Sequence, residues 1–145
     1  MKMSREEHYH KLERMYLTAP INNFYQPKIS IADGQAEIQT QVKPEYFHAA
    51  GALHGSVYFK LLDDAAFFAA NSLVEEFFLL TVSFNLYLTR QVTAGVLVAT
   101  GRVVSRSRKY FVAESLLTVE DKEVARGSGS FLPSSIRLVD VNSYA

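Results

Sequence analysis

The pattern of apolar and polar positions changes period along this chain, and each change marks an element. Tyr9, Leu12, Met15 and Tyr16 recur at helical spacing behind Ser4, with Glu6 and Glu7 in the first turn. That predicts an N-terminal helix over about residues 4–17, stopped before Pro20. Asn22 to Pro27 reads as turn. Residues 28–32 alternate, Asp33-Gly34 is a hairpin signal, and Ala36, Ile38 and Thr40 alternate with Glu37, Gln39 and Gln41. Residues 44–53 read as loop. From Gly55 to about Val74 the alternation is gone: Leu61, Leu62 and the run from Ala65 to Ala70 are apolar on every side, the mark of a buried helix. Four stretches rich in β-branched and aromatic residues follow, at about 77–89, 94–105, 109–119 and 124–132. Pro133 is expected to end or bend the last strand, and the tail beyond it to be only marginally ordered.

Helix, two strands, one long apolar helix and four strands with short turns make an α+β fold, with an antiparallel sheet wrapped around the long helix. The 145 residues suit a single domain over 1–145, with its core over about 28–135. A wrapped sheet leaves edge strands to cover, so a homodimer or a dimer of dimers is expected.

Composition narrows the classes. Fifteen basic residues balance fifteen acidic ones, which argues against a nucleic-acid partner. Without cysteine there is no disulfide, thiolate metal site or thiol nucleophile. His8 and His10, two apart on a helix, are poorly placed to share a metal and read as surface residues. No metal or cofactor is expected. Neither a secretion signal nor an apolar run long enough to span a bilayer is evident, and the expected location is cytoplasmic.

The chemistry is concentrated in one stretch, HAAGALHGSVYFKLLDDAAFFAAN, from His48 to Asn71. Small residues and His54-Gly55-Ser56 lead into the buried helix. Unpaired amides at a helix start can hold a developing oxyanion, although Gly55 is equally what a tight turn needs. Two and a half turns on, Asp63 and Asp64 interrupt the apolar run, and a carboxylate there is costly unless it is paired or working. Ser56, Phe59, Lys60, Asp63 and Phe67 share one side, with Asp64 about 100° away. Asp63 is therefore the candidate base or nucleophile. Asp64 is expected to pair with Lys60 at i, i+4 and to serve no common site with Asp63.

His54-Gly55 to Asp63-Asp64-Ala65-Ala66, Thr81-Val82-Ser83-Phe84-Asn85-Leu86, the Ser105–Lys109 turn and Gly127-Ser128-Gly129-Ser130-Phe131 together resemble the hotdog-fold thioesterases, of the phenylacetate-pathway and hydroxybenzoyl-CoA type. The resemblance spans about residues 30–135. It implies hydrolysis of an acyl-CoA at a site between two subunits, with the helix start from one and Asp63 from the other. Gly55, Asp63, His48 and Thr81 would take catalytic roles, with the Thr81 hydroxyl orienting water. His54, Ser56, Phe67, Arg106, Arg108 and Lys109 would contact substrate, the last three at the phosphates of coenzyme A. Ser56 replaces the family's second glycine, His48 its asparagine, Gln91 its proline, and Asp64 adds a second acid. Two rivals stay open: a non-catalytic acyl-CoA-binding protein, and a hotdog dehydratase pairing His48 with Asp63.

Overall fold

The computed structural model describes residues 2–145. Helix α1 (Arg5–Leu17) begins where Ser4 accepts a hydrogen bond from the Glu7 amide, satisfying one of the orphan donors of the first turn. A one-turn helix α2 (Asn22–Tyr25) occupies the stretch read as turn. Strands β1 (Lys28–Ala32) and β2 (Gln35–Gln41) form the hairpin, with Gly34 at φ 69° in its turn. The long helix α3 (Gly55–Asn71) follows, then β3 (Phe77–Leu88), β4 (Val96–Arg106), β5 (Phe111–Val119) and β6 (Lys122–Arg137). All six strands pair antiparallel in the order β1-β2-β4-β5-β6-β3, leaving β1 and β3 at the edges.

The sheet curls around α3, which touches every strand. Leu61, Leu62, Ala65, Ala66, Ala69 and Ala70 are completely buried. Each such leucine contributes about 1.5–3 kcal/mol by leaving water. The alanines do something different: they let the sheet close on the helix backbone. At Gly101 of β4 the approach is closest, because a Cβ there would fall 2.2 Å from the carbonyl oxygen of Ala65. The strand therefore has no room for a side chain at that register.

The helix stops at Asn71, earlier than the apolar pattern suggests, and Asn71 itself is the reason. Its side-chain nitrogen donates to the carbonyls of Val74 and Phe77, and its side-chain oxygen accepts from the Leu79 amide at 2.9 Å. A residue at the helix end thus fastens the start of β3. Pro133 does not end β6, which runs on to Arg137. Pairing with β5 finishes at Phe131, so beyond that point β6 has a neighbour on one side only. Pro133 lies opposite Leu79 beside a register irregularity, where a missing N–H is tolerated.

Two further expectations are corrected. The tail is docked: Leu138 and Tyr144 are buried. His8 is no surface residue but fully enclosed. Its Nε2 donates to the Asn71 carbonyl at 2.9 Å, so its Nδ1 accepts the Tyr144 hydroxyl at 2.6 Å. The apolar spacing of α1 alone could not report a histidine clasped from both ends.

Edge strand β3 exposes Leu80, Val82, Tyr87 and Leu88 beside an open row of backbone groups. Among the described residues, no helix is long and apolar enough to cross a membrane.

The packing at Gly101 is testable. Gly101→Ala should lower unfolding free energy by about 1–3 kcal/mol, because the obstructing atoms are backbone and cannot swing away. An unchanged urea midpoint would mean the contact is looser than described.

Candidate active site

Eight residues into α3, the carboxylate of Asp63 faces β3 and accepts a hydrogen bond from the Thr81 hydroxyl at 2.9 Å. Thr81 lies opposite Phe131 in the register, so the bond ties helix to sheet next to a buried ring. Burial pushes the Asp63 carboxyl up to about 6, with Asp64 adding to the rise; the Thr81 bond and the Lys60 charge oppose it. A carboxyl so placed changes charge close to neutral pH.

Asp64 turns toward α1. Its Oδ2 accepts the Tyr16 hydroxyl at 2.7 Å and pairs with the Lys60 ammonium, one turn earlier. Lys60, only 9% exposed, also donates to the Tyr16 hydroxyl at 3.4 Å, and its ammonium lies 5.0 and 4.9 Å from the Tyr16 and Tyr25 ring centres. Burial and the adjacent carboxylate push the Tyr16 phenol far above its ordinary value. The expected i, i+4 pair is present. The expected separation of the two acids is not: Asp63 and Asp64 line one cavity of about 340 Å³, together with Tyr16, Lys60, Phe67 and Thr81. The 100° between them is spanned because β3 closes one side of the cavity and α1 the other. Tyr16 carried no signal of this in the sequence, where it is one more apolar position of α1; the contact joins residues 48 apart.

At the far end of the same helix, His54 caps α3: its Nδ1 accepts from the Ser56 amide at 3.0 Å, with the Ser56 hydroxyl at 2.8 Å. The Val57 amide is taken by the His54 carbonyl. The Gly55 amide has no partner among the described residues. His48 closes a tight turn, with its Nδ1 accepting from the Ala50 amide at 3.0 Å. Gly55 and Asp63 are eight residues apart, about 12 Å along the axis. One chain therefore does not bring Gly55, His48, His54 and Ser56 to Asp63.

Comparison with known proteins places the fold. The profile of the thioesterase superfamily matches residues 50–125, more than half of the chain and all of the stretch from α3 to β5. The chain belongs to the thioesterase superfamily. Solved structures share the fold. The Escherichia coli PaaI protein of the phenylacetic acid degradation operon is 20% identical at a TM-score of 0.83, covering 92% of this chain and 97% of that one. The conserved protein PA5202 of Pseudomonas aeruginosa is 24% identical at 0.78, covering 83% and 98%. A variant of the phenylacetic acid degradation protein PaaI of Thermus thermophilus is 23% identical at 0.74, covering 80% and 100%. No curated protein matches the sequence. Helix α1, with Tyr16, lies outside the stretch matched by the superfamily profile.

In this thioesterase-superfamily chain Phe67 lines the cavity, packed edge-on to Phe68 at 5.0 Å and tilted on Phe78 at 5.2 Å. Arg106, Arg108 and Lys109 are exposed at the β4–β5 turn. They border a second, larger cavity of about 1010 Å³, floored by Phe77 and Phe111. Lys2 and Arg137 join them there, and both were missed because they come from opposite ends of the chain. Among the described residues there is no cluster of three or more metal-ligating side chains.

The raised Asp63 carboxyl gives a signed stability prediction. In the folded chain Asp63 holds its proton up to about pH 6, whereas the unfolded chain releases it near 3.8. The folded state therefore binds more protons in that window, and stability falls as pH rises through it. Asp63→Asn should accordingly stabilise the fold by about 1–3 kcal/mol at pH 7 and change little at pH 4. Denaturant unfolding at both pH values checks this; a variant less stable at pH 7 would contradict it.

Proposed function

We propose that this chain hydrolyses an acyl-CoA thioester to the free acid and coenzyme A, in the cytoplasm, as a homodimer or dimer of dimers. The observation that carries the reading is Asp63: a part-buried carboxylate with a raised pKa, one hydroxyl partner and an apolar-walled cavity, on the central helix of a thioesterase-superfamily chain. In the reaction, Asp63 takes a proton from water as the water oxygen attacks the thioester carbonyl. The Thr81 hydroxyl holds the carboxylate, and through it the water, in place. The negative charge moves to the carbonyl oxygen, where the unpartnered Gly55 amide of a second copy receives it. Collapse breaks the carbon–sulfur bond, and the departing thiolate takes the proton that Asp63 accepted from water, which returns Asp63 to its carboxylate form.

Two chains are needed because one keeps Gly55 about 12 Å from Asp63. The unpaired β3 edge, with Leu80, Val82 and Leu88 exposed, supports β3-to-β3 pairing as the way the copies meet. His48, His54 and Ser56 would then approach from the second copy, and Phe67 would meet the acyl group. Arg106, Arg108 and Lys109, with Arg137 and Lys2, form a basic rim suited to the phosphates of coenzyme A.

Purified protein should release thiol from at least one member of a panel of short, long and aryl acyl-CoAs. Asp63→Asn should lower that release by at least ~100-fold, Asp64→Asn by much less, and Arg106→Glu or Arg108→Glu should raise KM most at low salt. Wild type releasing no more thiol than buffer would leave the non-catalytic binding reading in its place. Light scattering should show a dimer or larger at micromolar concentration; a stable monomer would remove the two-chain site.

A further inference from the structure

Lys60 is the cation of the Asp63 cavity. It sits three residues before Asp63 and four before Asp64, so on a helix its side chain can reach either acid. Of the two acids, it is bonded to Asp64. Three contacts explain that choice. The Tyr16 hydroxyl donates to the same Asp64 oxygen at 2.7 Å, fixing the carboxylate toward α1. The ammonium donates in turn to Tyr16 at 3.4 Å. It also lies against the faces of Tyr16 and Tyr25, at 5.0 and 4.9 Å. These anchors come from α1, α2 and Asp64, whereas the bonded partner of Asp63 comes from β3. Asp63 is left with the Thr81 hydroxyl at 2.9 Å as its bonded partner.

We infer that Tyr16 and Asp64 are positioning residues: with Tyr25 they cradle the Lys60 ammonium and keep it off the Asp63 carboxylate. The inference rests on the reading of Asp63 as the general base. An ammonium bonded to Asp63 would occupy the oxygen that must accept a proton from water and would weaken it as a base. Deleting the cation is no remedy for the chain, since Asp64 would then be a part-buried charge without its partner. The cradle settles both demands. It also gives α1, which lies outside the stretch matched by the superfamily profile, a part in the chemistry. The groups facing Asp63 are Lys60 and Asp64 on α3, the Tyr16 phenol from α1 and the Thr81 hydroxyl from β3. Tyr25 from α2 faces Lys60 and Asp64.

The test reads the Asp63 carboxyl directly. In full-length protein labelled with carbon-13 at aspartate, the Asp63 side-chain resonance is followed against pH, with an amide spectrum of each variant to confirm folding. Wild type should titrate at about pH 6. In Asp64→Asn the ammonium should swing to Asp63 and weaken its proton binding at least tenfold. Tyr16→Phe, a milder change that keeps the pair, should weaken it in the same direction by less. Losing the Asp64 charge would by itself lower Asp63 somewhat, so the decisive comparison is the double variant. Measured against Lys60→Met alone, Tyr16→Phe should then cause no drop, and Asp64→Asn only the small one that loss of its charge accounts for. If the drop is as large without Lys60 as with it, or never occurs, the cradle is wrong. These titrations need no turnover: an inactive wild type would overturn the proposed hydrolysis and leave this inference standing, whereas active protein with unmoved titrations would overturn the inference alone.

Discussion

A helix enclosed by its own sheet is the constraint from which the rest of this structure follows. Closing β2 to β6 around α3 requires small residues at the contact, and Ala65, Ala66 and Gly101 supply them by letting backbone meet backbone. The same closure removes water from most side chains on α3. Polar groups on that helix must then be partnered by the protein or kept at high cost. Asn71 is partnered by the backbone of the following strand, and Lys60 and Asp64 by each other and Tyr16. Asp63 is the acid whose position leaves it least compensated, with a single hydroxyl for company.

That imbalance connects stability to chemistry. A carboxylate that burial makes hard to ionise is a liability to the fold and, for the same reason, a competent proton acceptor near neutral pH. The helix start shows the complementary arrangement. His54 satisfies the Ser56 and Val57 amides and leaves the Gly55 amide free, so a donor and an acceptor stand at separate points on one rigid rod. The proposed two-chain site would bring that donor and acceptor together, and the bare β3 edge is where the copies would meet.

Much of this was legible in the sequence because the signals were local. Alternation located β2, the all-round apolar run located α3, and the spacing of Lys60 and Asp64 fixed their pairing. What stayed hidden was decided by contacts distant along the chain. Tyr16 reaches Asp64 across 48 residues, and nothing in the spacing of α1 distinguishes it from Met15. Helical geometry put Asp64 on another face, correctly, but could not show that α1 and β3 would together enclose both faces in one cavity. Pro133 was misjudged as a terminator because strand pairing, not the residue itself, decides whether a missing N–H matters.

The clasp of His8 by Asn71 and Tyr144 ties residues 136 positions apart, so the two ends of the chain meet at the end of the central helix. Docking of α1 and of the segment that carries Tyr144 is therefore coupled, because without Tyr144 the buried His8 ring keeps a nitrogen with no partner. Because Tyr16 rides on α1, a change that loosens the contact at Tyr144 would reach one wall of the Asp63 cavity from the opposite end of the molecule.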